Sequence, residues 1–141
     1  MSQPTPALPK NSSLMRAFLL MVAAIVVPIA LSYGLAPESV LPKALDITVS
    51  GTDQVHIFRA MMCLYLGAAA FWAIAAFTPA WQRTAVIWAV FFAWSLAVGR
   101  IISLAIDGSA SRLLIIYLGV EILGGLLGVA VLAYEGRRLR R

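Results

Sequence analysis

The feature that most restricts what this chain can fold into is the run from Ala85 to Ile106, which is apolar over a membrane's thickness yet carries Arg100 inside it. About 20 apolar residues at 1.5 Å per residue match the roughly 30 Å hydrocarbon core of a bilayer. A charge inside such a helix costs about 2.5–3.5 kcal/mol on insertion scales, so it turns toward protein and takes a partner. The run stops at Asp107-Gly108, and the next apolar run contains Glu121. Glu121 is the expected partner of Arg100, and a polar site between two helices follows.

Three further runs have the same character. Residues 14–35 begin with Arg16, contain Pro28, and read as a span because the run is long for a secretory leader. Residues 55–77 carry Arg59 near their start, follow Thr52 and Asp53 as N-cap candidates, and break at Thr78-Pro79. Residues 112–134 follow Ser111 as a cap and precede Glu135-Gly136. Between the first two runs, Pro37 to Gln54 reads as a turn-rich connection along the membrane interface, partly buried through Leu41, Leu45, Ile47 and Val49. Residues 1–13, with Pro4, Pro6 and Pro9, read as a disordered tail, and residues 136–141 as a basic one. With 62% hydrophobic and 12% charged residues, no stretch is left for a separate soluble domain. The predicted fold is all-α: one integral membrane bundle of four transmembrane helices over residues 14–135.

The net charge of +5 does not point to nucleic acid. Lys10, Arg16, Arg83, Arg137, Arg138, Arg140 and Arg141 flank the apolar runs, where basic residues set topology and meet anionic lipid headgroups. With four spans both termini share a side, and only Lys43 and Arg112 fall on the other, so the positive-inside rule predicts cytoplasmic termini. Arg59 and Arg100 then lie roughly 6–9 Å inside the outer ends of their helices, and Glu121 roughly 12–15 Å deep.

The polar residues within the spans are the candidates for function. Tyr117, Glu121, Gly124, Gly125 and Gly128 share one face of the fourth helix, and Gly124-x-x-x-Gly128 has the spacing of a close helix contact. Ser95, Gly99 and Ser103 form a small-residue stripe on the third, beside Arg100. Arg59, Asp107, His56 and Asp53 complete the predicted polar cluster. Two arginines against one buried carboxylate leave a surplus positive charge that favours an anionic ligand. Asp53-x-x-His56 reads as a cap and an interface residue rather than a metal site, and Cys63, the only cysteine, cannot form a zinc site or disulfide by itself. Trp72, Trp81, Trp88 and Trp94 read as interfacial anchors and lipid-facing bulk. No catalytic or cofactor-binding motif is present in the sequence.

His56-Ile57-Phe58-Arg59-Ala60 with Leu64-Tyr65-Leu66-Gly67, Gly99-Arg100-Ile101-Ile102-Ser103 through Asp107-Gly108, and Tyr117-Leu118-Gly119-Val120-Glu121 resemble the bacterial membrane family known as domain of unknown function 4345. The resemblance covers about Phe18 to Tyr134, and Cys63 stands where that family usually has glycine. It implies a four-helix protein of the bacterial inner membrane and no activity. The expected function is non-enzymatic: binding or passage of a small anionic or lipid-like ligand at Arg59, Arg100 and Glu121, among membrane lipids and without a cofactor. The alternative is an accessory subunit of a membrane complex or a homo-oligomer, with its glycine face and tryptophans against other helices. A membrane enzyme using Glu121 as acid or base is the third class.

Overall fold

The computed structural model describes residues 11–138, which form helices and no strands. Four helices are long and apolar enough to cross a membrane: α1 (Ser13–Gly34), α3 (Thr52–Ala76), α4 (Pro79–Ile106) and α5 (Arg112–Arg138). A fifth, α2 (Pro37–Leu45), replaces the irregular connection expected between the first two spans. Its start and stop are written locally. Pro37 sits at the first helical turn with Glu38, Lys43 lies in the last turn, and Asp46 ends the helix in the left-handed region at φ 59°. Leu41 and Leu45, one turn apart, are buried beneath Tyr33 of α1.

The long helices alternate in direction. Their two ends differ: one carries the start of α1, the α3–α4 turn and the end of α5, and the far end carries α2 and the α4–α5 turn. α1 packs along α3 and α4 along α5, and these two pairs meet over smaller interfaces. The α1–α3 seam is tightest at Gly34, where a Cβ would stand 2.9 Å from the Phe58 carbonyl oxygen and 3.0 Å from the Arg59 Cα. Only a residue without a side chain allows that approach. The centre of the bundle is aromatic and alanine-rich, with Trp72 fully buried and Tyr65, Trp88 and Phe92 packed around it at ring separations of 5.2–6.3 Å. Trp72 is thus a core residue and not an interfacial anchor, because it projects from α3 toward α4. Trp81 is half exposed, and Trp88 packs one side against Trp72 while remaining 40% exposed.

The terminal end is held by a polar latch that the sequence reading did not find. Ser12 caps α1 through its Oγ, which accepts from Met15 N at 3.1 Å and donates to Glu135 Oε1 at 2.8 Å. Ser12 N donates to Gln82 Oε1 at 2.9 Å, and Gln82 Nε2 donates to Asn11 Oδ1 at 2.7 Å and to the Ala76 carbonyl at 2.9 Å. One buried glutamine therefore ties the first residues of α1 to the α3–α4 turn, while Ser12 ties them to α5. This explains two differences from the sequence-based bounds: α4 starts at Pro79 rather than Ala85, and Ser12 is ordered and buried rather than part of a tail. Likewise α5 runs through Glu135-Gly136 to Arg138. Residues 1–10 of the expected tail, including Lys10, and Arg140 and Arg141 lie outside the described residues.

Two expected caps are not used. α3 opens after Gly51 at φ 89°, with Thr52 and Asp53 inside its first turn and neither capping it by a side chain. The Ser111 Oγ is buried without a hydrogen-bond partner, and only its carbonyl serves α5, accepting from Ile115 N at 3.2 Å.

Candidate functional site

Arg100 and Glu121 face one another across the α4–α5 seam. Arg100 Nε donates to both Glu121 carboxylate oxygens at 2.9 Å, and the two side chains are only 19% and 12% exposed. Because both contacts run through Nε, the two terminal amino groups of the guanidinium lie outside the ion pair. The guanidinium carbon sits 5.7 Å from the centroid of the Tyr117 ring, within cation–π range. Tyr117 lies one turn from Glu121 on α5, and Tyr33 of α1 is a further neighbour of the guanidinium. The guanidinium is thus flanked by two phenol rings.

Below this pair, toward the terminal end, lies a cavity of about 290 Å³ between α1, α4 and α5, with Tyr65 of α3 at its back. Its wall is almost wholly apolar: Phe18, Val22 and Ile29 from α1, Ala89, Phe92 and Leu96 from α4, and Val120 and Leu127 from α5. Arg100, Glu121, Tyr117 and Tyr65 supply its polar groups, grouped at one end. Met21 and Ile25 of α1 and Leu123 and Leu127 of α5 line the cavity and are also exposed, so it opens sideways between α1 and α5. Arg100 also borders a second, smaller space of about 80 Å³ beneath the α4–α5 turn, with Ser103, Leu114 and Leu118. It is the one residue common to both linings.

The other sequence candidates are placed elsewhere. Arg59, His56 and Asp53 are exposed on α3, and none of them lines either cavity. Ser103 donates to Asp107 Oδ2 at 2.6 Å near the exposed end of α4, outside the larger cavity. The glycine face of α5 is rotated from its expected setting. Gly125 and Gly128 make the close contacts, against Trp94 and against Val90 and Phe18, whereas Gly124 has nothing within 4 Å of a built Cβ and lines the cavity. The small-residue stripe of α4 is likewise uncovered: Ser95, Gly99 and Ser103 are exposed and no helix of this chain approaches Gly99. The physical reason is shared, since α4 turns Arg100, Leu96, Ala93 and Ala89 inward, which puts the opposite stripe outside. Tyr33 and Gly34 are the site and packing residues that sequence reasoning missed. They end the first apolar run, where nothing in the sequence marks either as turned toward another helix.

The family model for the domain of unknown function DUF4345 matches residues 14–132, and the chain belongs to that family. No curated protein and no solved structure matches it.

Proposed function

We propose that this protein of the DUF4345 family binds a lipid-like amphiphile inside the membrane, its chain in the apolar cavity and its uncharged polar head at Arg100 and Glu121. The observation that carries the reading is the polarity of the cavity. One end presents an ion pair and phenols, the remainder presents hydrocarbon, and the side is open toward the bilayer between α1 and α5. Sites for small molecules have this composition, mostly apolar with a few convergent polar groups. The terminal amino groups of Arg100 supply N–H donors for a carbonyl or hydroxyl oxygen. An uncharged head is favoured because the ion pair balances itself. The surplus positive charge argued from two arginines requires Arg59 at the site, and Arg59 is exposed outside the cavity. An anionic head would add an unbalanced charge to a half-buried site. In this reading the protein resides in a bacterial inner membrane with both termini cytoplasmic, by the excess of arginine at the terminal end, and has no catalytic role.

Gly124→Leu tests the reading. The new side chain enters the cavity without meeting protein atoms near its Cβ. In nanodiscs the variant is expected to keep wild-type thermal stability and lose binding of a monoacylglycerol, measured by native mass spectrometry, with the fatty acid of equal chain length binding more weakly to the wild type. Unchanged monoacylglycerol binding in a folded Gly124→Leu protein would refute the site. The uncovered stripe of Ser95, Gly99 and Ser103 favours one second reading, a membrane-protein partner or second copy along α4. A discrete oligomer or stoichiometric companion lost on Gly99→Leu is its signature.

A further inference from the structure

The cavity has a closed end as well as a polar one. Phe18 of α1 is almost fully buried, and its ring reaches α5 so closely that a Cβ on Gly128 would stand 3.0 Å from Phe18 Cζ, with Val90 of α4 against the same glycine. Beneath Phe18 the bundle is solid, with Met15, Val86 and Val131 buried in one cluster. The α1–α5 gap is therefore shut at the level of Phe18 and Gly128 and open above it. From that level to the ion pair, the lining runs from Ala89 to Arg100 on α4 and from Leu127 to Tyr117 on α5. At 1.5 Å per residue this is a length of about 15–17 Å. An extended chain advances about 1.2 Å per backbone atom, so the length holds about a dozen atoms. An apolar cavity of about 150 Å³ takes one benzene, six carbon atoms, so about 290 Å³ takes roughly a dozen, the number that spans the length once. One chain fits and two do not.

We infer that the cavity measures its ligand: it takes a single unbranched chain of about a dozen atoms, and Phe18 seated on Gly128 is the residue that sets the limit. The inference rests on the amphiphile reading above and adds the class of ligand, a single-chain amphiphile rather than a two-chain phospholipid. Phe18 acts as a specificity-determining residue because its ring reaches from α1 to Gly128 of α5 at this level. A chain longer than the cavity must bend out through the side opening or displace that ring.

The experiment uses the whole protein in nanodiscs carrying a series of monoacylglycerols at equal mole fraction. Hydrocarbon gains nothing on leaving lipid for an apolar cavity, so the length dependence reports fit alone. Occupancy by native mass spectrometry is expected to peak near a chain of about a dozen atoms and to fall about tenfold or more for chains several atoms longer, the effect of overpacking a closed site. Phe18→Ala removes the floor and is expected to move the peak to longer chains by about four atoms, the reach of the ring. Ala93→Leu, which enters the cavity about 10 Å from Arg100, is expected to move it to shorter chains. The second variant keeps the test decisive if Phe18→Ala does not fold. Binding with no length optimum, or an optimum that neither variant moves, overturns the ruler and leaves the amphiphile site standing. Binding by no member of the series overturns both, and a two-chain lipid bound as well as the best single-chain one overturns the single-chain assignment.

Discussion

Removing one member of the Arg100–Glu121 pair strands the other in a mostly buried position, and the two losses should differ. Breaking a buried pair typically costs about 3–5 kcal/mol because a charge is left without its partner. The two residues have unequal routes to water. Arg100 lies six residues before the end of α4, about 9 Å, and a long aliphatic stem can carry its guanidinium much of that distance. Glu121 lies nine residues into α5, about 13 Å, and its short side chain cannot follow. Glu121→Leu should therefore cost about 2–3 kcal/mol and Arg100→Leu about 3–5 kcal/mol. The double variant replaces the pair by apolar side chains of similar bulk and should lie near the wild type, so the coupling energy should equal nearly the whole of the two single losses, about 5–8 kcal/mol. Reversible unfolding of the four proteins in detergent measures the cycle. Losses that add within about 0.5 kcal/mol would show that the residues do not interact. A larger loss for Glu121→Leu than for Arg100→Leu would refute the argument from depth.

Two packing predictions follow from contacts invisible in the composition. Gly34→Ala places a methyl against the backbone of α3, which cannot rotate away, and should destabilise the protein by about 1–3 kcal/mol, while Gly99→Ala, where a Cβ meets nothing, should leave the unfolding midpoint unchanged. Gln82→Leu conserves volume but strands the Ser12 N–H and the Ala76 carbonyl, so thermal unfolding should report a loss of about 3 kcal/mol, and a loss below about 1 kcal/mol would mean the latch is solvated.

The four spans were legible because each apolar run is long enough to cross a bilayer, and their order alone places α4 beside α5. The Arg100–Glu121 geometry follows from that adjacency and from the high cost of a lone charge in lipid. Rotation about each helix axis was not legible. On α5 the glycines at 124, 125 and 128 permit a close approach on neighbouring faces, and the choice between them depends on where Trp94 and Phe18 project from other helices. The same limit explains Arg59, which is exposed although its Cα lies at the α1–α3 seam. The latch was hidden for a different reason. Ser12, Gln82 and Glu135 are separated by up to 123 residues, and polar residues at span ends ordinarily read as solvated. Nothing in hydropathy separates a buried glutamine there from an exposed one.

The cavity itself follows from how the helices are spaced. Gly34 lets α1 close on α3, and Gly125 and Gly128 let α4 close on α5, so two helix pairs form with tight internal seams. Between the pairs, α1 and α5 are held apart at both ends by bulk. At the far end α2 is the wedge: Leu41 and Leu45 pack under Tyr33 with Leu113, Leu114 and Tyr117 of α5 against them. At the other end Phe18 is the spacer, its ring filling the width between α1 and Gly128. Between wedge and spacer, α5 presents Gly124 and α4 presents Ala89 and Ala93, all too small to fill the gap that the two ends impose. A bundle that needed only to span the membrane would lose dispersion energy by keeping such a gap, since its walls lack partner atoms on one side. The loss is recovered only when something fills the space. The Arg100–Glu121 pair lies at its rim, Arg100 turned inward toward Glu121, so whatever fills it meets hydrocarbon along its length and hydrogen-bond donors at its end.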